Sequence, residues 1–274
     1  DYFKPIEVHN GDPMSNNHDI GLSNLITGYP SVLVNRGPVH NPGNPPVQGS
    51  DIETNFFQEI TTPPAAFLIN SHNINGNTLD VSINIDFQDT INGQWHLACI
   101  LVEDSVTGSG SGWDQANYYS GGSSLIDIDG TDWSNLSDPV PANTMIYRHV
   151  SRGIEPDFTG NPLSYQAYNP GDNETVNFSF LLDASWDTTK MSIIGILINP
   201  SGQIDNSSYS EVNQSTTSCS YTVVDESFPG ACDGSININM LTTVCTTPYT
   251  ITWTGPNGYA STSSVGLCAG TYNY

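Results

Sequence analysis

Basic residues are scarce. Lys4, Arg36, Arg148, Arg152 and Lys190 are the five Lys and Arg, against 28 Asp and Glu, for a formal net charge of −23. A chain so charged repels phosphate backbones and anionic lipid, which excludes nucleic acid as a partner and argues against docking on an anionic membrane surface. Charge of either sign is also sparse, at 12% of residues, so Asn, Ser, Thr and Gly must supply the polar surface. Long apolar runs are missing. The longest, around Met191 to Ile198, is far short of the roughly 20 residues that cross a bilayer, so no transmembrane segment is expected in this chain. No CxxC pair occurs, which removes both the zinc knuckle and the dithiol redox site. No G-x-S-x-G elbow or H-E-x-x-H helix occurs either, and the six histidines are scattered. The residues therefore predict no complete catalytic site and require no cofactor.

What is there points outside the cell. Hydrophobic residues make up 36% of the chain and aromatics 10%, enough to build packed cores rather than a disordered acidic tail. Uncharged hydrogen-bonding side chains in place of Lys and Glu suit an extracellular β-protein. Four of the five cysteines, Cys219, Cys232, Cys245 and Cys268, crowd the C-terminal end. An even count in a small β-rich tail predicts two disulfides formed in an oxidising compartment, with three pairings open. Cys99, inside the apolar run His96 to Val102, reads as a buried free thiol.

Periodicity predicts a mainly β, multidomain chain. Residues 1–65 mix strand and helix signals, with strands at Pro5–His9 and Ser31–Asn35 and a capping box at Ser50 to Glu53 opening a helix through Ile60. Residues 66–206 read as a β-sandwich. Its expected strands are Ala66–Asn70, Leu79–Phe87, Trp95–Glu103, Met145–Val150, Thr175–Leu182 and Met191–Asn199. The alternation of Leu79, Val81, Ile83, Ile85 and Phe87 with polar residues is that of a half-buried antiparallel strand. The low-hydrophobicity stretch 207–218 reads as a linker, and 219–274 as a small all-β module.

Gly28-Tyr-Pro30 before the apolar Ser31–Val34 makes Pro30 a candidate cis-proline. Ile6 to Pro13, a helix-length spacer and Gly28 to Arg36 together resemble the second half of a thioredoxin-like domain. With Trp95 to Asp104, the Gln115 to Tyr119 loop and Met145 to Arg152, roughly residues 1–205 resemble the Bacteroidetes outer-membrane lipoprotein family of the twenty-eight-kilodalton type. In that family such a domain precedes a β-domain. Cys232-Asp-Gly-Ser-Ile, Pro248 to Trp253 and Leu267 to Tyr272 are similar to the SprB-type repeat, an immunoglobulin-like module of Bacteroidetes adhesins. These resemblances imply a partial thioredoxin-like α/β domain (1–65), a β-sandwich (66–206) and an incomplete immunoglobulin-like repeat (219–274). They also imply a piece of a longer polypeptide exported by type IX secretion.

Three further features carry expectations. Asp127, Asp129 and Asp132, beside Gly130, are candidate calcium ligands, calcium being the cofactor the sequence allows; an acidic solvated turn is the alternative. Thr90, Ser105 and Thr188 sit in Asp-Ser/Thr-x triplets similar to the O-glycan acceptor of Bacteroidetes exported proteins. Arg148, His149 and Arg152 form a basic cluster, read chiefly as structural pairing with carboxylates. The functional expectation is a secreted cell-surface structural or adhesive segment contacting other surface proteins, copies of itself or glycans, and able to belong to a fibre. Alternatives are an exported thiol-disulfide protein with its CxxC upstream, and a carbohydrate-binding role for the aromatic Trp113–Tyr119 loop.

Overall fold

The computed structural model describes residues 3–40, 49–127, 129–212, 219–228, 230–240, 253–255, 260–261, 265–268 and 270. The chain divides into two units, Asp1–Gln214 and Ser215–Tyr274, each mainly β.

In the first unit, α1 (Asn17–Leu22), β1 (Val32–Leu33), β2 (Val39–His40) and α2 (Gly49–Glu59) precede the long strands. These are β3 (Ala66–Asn75), β4 (Thr78–Phe87), β5 (Ile91–Asn92) and β6 (His96–Glu103), then β7 (Val150–Glu155), β8 (Asn161–Pro162) and β9 (Ala167–Tyr168). β10 (Asn173–Leu181), β11 (Met191–Ile198) and β12 (Ile204–Glu211) complete it. Antiparallel pairing gives one sheet in the order β10-β4-β3 and a second in the order β12-β11-β6-β7, with β8 also on β6. Leu79, Val81, Ile83, Ile85 and Phe87 of β4 face Leu97, Cys99 and Leu101 of β6 and Ile193 and Leu197 of β11 in one core cluster. The opposite face of β4 carries polar cross-strand pairs, such as Ser82 to Asn177 and Asn84 to Thr175, as the alternation predicts.

The second sheet is apolar on both faces. Ala98, Ile100, Val102, Ile154, Ile194, Ile196 and Ile198 form a separate core against Ile6 and Ile204. This explains why β6 and β11 read as continuous apolar runs rather than alternating ones. The N-terminal residues supply part of the second cover. The free edge of β7 is closed by Glu7, whose backbone bridges Val150 in parallel, and by side chains of α1. Asn17 donates to the Ile154 carbonyl and accepts from the Ile154 N–H, and Asn16 donates to the Ser151 carbonyl. An exposed strand edge is thereby paired by amides that imitate a neighbouring strand.

Several expected boundaries are corrected by this packing. Residues 1–65 belong to the same compact unit as the sandwich, because their side chains and Glu7 complete its second sheet. Residues 207–211, expected in a linker, lie in β12, whose polar alternation is that of a sheet edge facing side-chain partners. Ser208 and Ser210 meet Asn70, and Asn206 donates to the Ala66 carbonyl, which joins β12 to β3 without a strand ladder. The strand expected at Met145–Val150 starts only at Val150. His149 adopts a left-handed conformation (φ 51°) that interrupts extended backbone there. Met145 and Tyr147 instead enter a third small core with Met14, Val106, Val140 and Val150, packed by Trp113, Trp133 and Leu136, which orders the long 104–149 connection.

The second unit contains β13 (Cys219–Val224), β14 (Gly234–Met240), β15 (Trp253–Thr254), β16 (Ala260–Ser261) and β17 (Val265–Leu267). β14 lies between β13 and β17, and β15 pairs β16, all antiparallel. A disulfide joins Cys232 to Cys268, choosing one of the pairings left open by spacing. Cys245 lies outside the described residues, as does the Cys219 side chain. The loop before β14 is tied by Glu226, which accepts from the Gly230 and Cys232 N–H groups, and by Asp233, which accepts from the Ser227 N–H and hydroxyl.

Candidate functional site

The first unit holds a cleft of about 390 Å³, lined by residues from four separate parts of the chain: 13–16, Thr107 with Trp113, Arg152, and 183–186. That volume lies within the ~300–1,000 Å³ of small-ligand sites. Trp113 ends a 3₁₀ turn, Ser111–Trp113, and its backbone carbonyl accepts a 2.6 Å bond from the Tyr147 hydroxyl. Its indole lies directly over Gly108, where any Cβ would fall 1.9 Å from the ring. Only glycine lets the indole settle there. Trp186 stands in the turn before β11 and packs on the edge of the main core.

Arg152 lines the same cleft, with 10% of its side chain exposed. Its Nε donates to Glu103 Oε2 at 2.7 Å, and its guanidinium carbon sits 5.2 Å from the Trp186 ring centre. Glu103 is itself buried, and its other oxygen accepts from the Asp187 N–H at 2.9 Å. A buried carboxylate and a nearly buried guanidinium thus fix each other through charge-assisted bonds. Asp183, which also lines the cleft, uses Oδ1 to accept from the Ser185 N–H and hydroxyl. Those bonds, and the positive charge of Arg152, hold its carboxyl below the ordinary carboxylate range, so it is ionised at neutral pH.

The other polar groups are enclosed. His18 Nδ1 is 3.0 Å from Ser151 Oγ, both buried; burial foremost, with Arg36 nearby, depresses this imidazole to about 4 and keeps it neutral. Ser151 is fully shielded from solvent, so the pair acts in packing. His9 is buried against Tyr147 and bonded to Asp12 at 2.6 Å; burial lowers its pKa, but Glu7 and Asp12 outweigh that and raise it overall. Cys99 is buried and free, and burial pushes its thiol well above the usual range.

The sequence-selected residues fall as follows. The Tyr29–Pro30 peptide bond is cis and lies on an exposed loop, with the Tyr29 hydroxyl donating to Asp19. Asp127, Asp129 and Asp132 do not converge, and no metal-holding group occurs among the described residues. Asp127 accepts from the Asp129 and Thr131 N–H groups and the Trp133 indole N–H, and Asp132 from Ser124, Leu125 and Ser134. These oxygens organise their own turn, in keeping with the acidic solvated turn that was the alternative to calcium binding. Arg148 pairs with Asp104 at 3.1 Å and Asp129 at 3.4 Å at the surface. Thr90 is exposed, the Ser105 hydroxyl bridges Asp104 and Arg148, and Thr188 is half-buried in a 3₁₀ turn. Of the cleft residues, Trp113 and Arg152 stood out in the sequence. Asp183, Ser185 and Trp186 did not, because nothing local distinguishes Asp-Ala-Ser-Trp from other turns.

No protein-family model matches this chain, and no curated protein matches it. Among solved structures, a structural-genomics target protein from Agrobacterium tumefaciens is similar at 15% identity and a TM-score of 0.32, over 75% of each chain. A penta-heme cytochrome c552 from Thermochromatium tepidum is similar at 12% identity and a TM-score of 0.25, over 56% of this chain and 40% of its own. Likenesses this slight bear on neither fold nor function.

Proposed function

We propose that this chain is a segment of a secreted cell-surface protein, similar to the Bacteroidetes outer-membrane lipoproteins with an SprB-type repeat, and that it serves as a structural or adhesive element outside the cell. The observation that carries this reading is the Cys232–Cys268 disulfide in the smaller β unit, since such cross-links persist in oxidising compartments. The near absence of Lys and Arg, with polarity supplied by Asn, Ser and Thr, supports it. So does the commitment of the buried ionisable groups Glu103, Arg152 and His18 to packing partners. An exposed row of strand residues, Phe67 and Ile69, together with Leu181, offers contact surface for neighbouring proteins or further copies.

Protease shaving of intact cells tests the reading. Peptides of this chain released from whole cells, with masses matching a Cys232–Cys268 cross-link, are expected. Recovery only after lysis, with both thiols alkylated, would overturn it. Negative-stain microscopy of sheared surface material, with antibody against this chain, separates a fibre component from a dispersed surface protein.

A further inference from the structure

We infer that β10 pairs, antiparallel and about a two-fold axis, with β10 of a second copy of this chain. The inference rests on the reading of a surface contact protein and deepens it by naming the partner and the strand that meets it.

β10 stands at one edge of its sheet, is nine residues long, and pairs only with β4 among the described residues. The bonds at the two ends of that ladder fix which backbone groups point outward. The Phe87 N–H donates to the Asp172 carbonyl and the Leu182 N–H to the Asn77 carbonyl, so residues 172 and 182 face β4. Orientation alternates along an antiparallel strand, so Glu174, Val176, Phe178 and Phe180 also turn their backbone groups to β4. Asn173, Thr175, Asn177, Ser179 and Leu181 turn theirs away. Among the described residues no backbone group meets those N–H and C=O groups.

The other sheet edges of this unit have partners. Glu7, Asn16 and Asn17 meet β7, the Asn35 carbonyl accepts from the Ile204 N–H of β12, and Asn206 donates to the Ala66 carbonyl of β3. β10 also lacks the devices that keep a bare edge from pairing. It has no Lys, no Pro and no shift of register along its length, so it remains a straight template for another strand.

Its outward side chains select the occupant. Asn173, Thr175, Asn177, Ser179 and Leu181 are all exposed and none is charged. Asp80 and Asp86 stand on β4, one strand further from the axis, and Asp80 accepts from Ser179. A charged peptide finds no ion partner in this row, whereas a second copy, itself carrying −23, can approach only where carboxylates are absent. The row is also its own complement. Centred on Asn177, the antiparallel register sets Asn177 against Asn177 of the other copy, Thr175 against Ser179 and Asn173 against Leu181. The first two are amide and hydroxyl pairs able to hydrogen-bond across strands. On the inner face the same register sets half-buried Val176 against Phe178 of the other copy, which continues the apolar core across the axis. Such a contact is closed by its own symmetry and gives a dimer.

Sedimentation equilibrium and amide-resolved hydrogen exchange by NMR, both on the purified full chain, test the inference. With rising concentration the mass should climb from 29.5 kDa toward twice that value. Within β10, exchange should then slow about tenfold at Asn173, Thr175, Asn177, Ser179 and Leu181, while the amides already held by β4 stay as they were. Asn177→Lys sets like charges against each other at the axis and should raise the dissociation constant of the dimer about tenfold. The exchange measurement uses the unsubstituted protein, so it remains decisive if the variant fails to fold. A monomer at millimolar concentration, a dimer that Asn177→Lys leaves intact, or a dimer whose slowed amides lie outside β10 would each overturn it. Because both measurements use purified protein, a failure here leaves the cell-surface reading standing, and failure of protease shaving leaves the dimer standing.

Discussion

Asp1–Gln214 buries apolar side chains on both faces of one sheet, whereas Ser215–Tyr274 is cross-linked across its strands by a disulfide. The two are held by different means among the described residues, apolar burial on both faces of a sheet in one and a covalent link beside the strands in the other. The larger unit has room for three apolar clusters and tolerates an unpaired buried thiol, Cys99. In the smaller unit, Leu267 is the buried apolar side chain among the described residues, and the cross-link beside it shortens the unfolded chain's excursions. The Cys232–Cys268 link acts by restricting the unfolded chain, whereas the apolar clusters of the larger unit act in the folded state.

Four changes would break or sharpen that contrast. Phe87→Ala has the largest expected effect. The ring is fully buried and stacks on Tyr168 with centres 4.1 Å apart, so its removal should cost about 4 kcal/mol. Hydrogen exchange read by mass spectrometry should show faster exchange throughout β3 to β12 and none of the change in β13 and β14. The converse is the Cys232→Ser, Cys268→Ser pair, which should cost the smaller unit about 3 kcal/mol. Millimolar dithiothreitol should reproduce it in the unsubstituted protein, while exchange in the larger unit stays as it was.

Acid distinguishes the units next. Folded His18 titrates near 4, below the ordinary 6.5 of the unfolded chain, because burial and Arg36 disfavour its charged form. The unfolded state therefore binds a proton that the folded state refuses. This stabilisation is complete above pH 6.5 and is lost as pH falls through about 4, by up to about 3 kcal/mol. Urea melts of the larger unit between pH 7 and 4 should be flatter in His18→Asn than in the parent. An equal pH slope in both would remove His18 as the cause. The smallest effect is expected of Asn17→Ala, which strips the edge of β7 of its two amide contacts to Ile154. Leaving these backbone groups without partners should cost about 2 kcal/mol and raise exchange at Ile154 itself.

Much of this fold is legible residue by residue. The strict alternation at Leu79 to Phe87 announces β4, because period-two burial is written directly into the side chains of one strand. The apolar runs 96–102 and 191–198 likewise announce strands. Their two-sided burial was missed, since a continuous run does not say which distant segment covers its second face. Here Ile6 is part of that cover and Asn16 and Asn17 close the adjacent edge, which is why residues 1–65 were separated from the sandwich on paper and are not separate in space. β12 was misread for a related reason. A strand facing Asn70 and its neighbours through serines and asparagines looks like a linker until its partners are known.

The candidate site divides the same way. Trp113 and Arg152 could be noticed as an aromatic and a cation in a chain poor in cations, but neither predicts the other. By itself the sequence determined the acidic, charge-poor surface, the cysteine supply for a disulfide and the main strand positions, all properties carried by local composition and period. Only the tertiary structure decided which cysteines join, which face of β6 the N-terminal residues cover, and that Asn16, Trp113, Arg152, Asp183 and Trp186 line one cleft. Those outcomes depend on contacts between residues far apart in the chain, where side-chain type at one position carries no record of its partner.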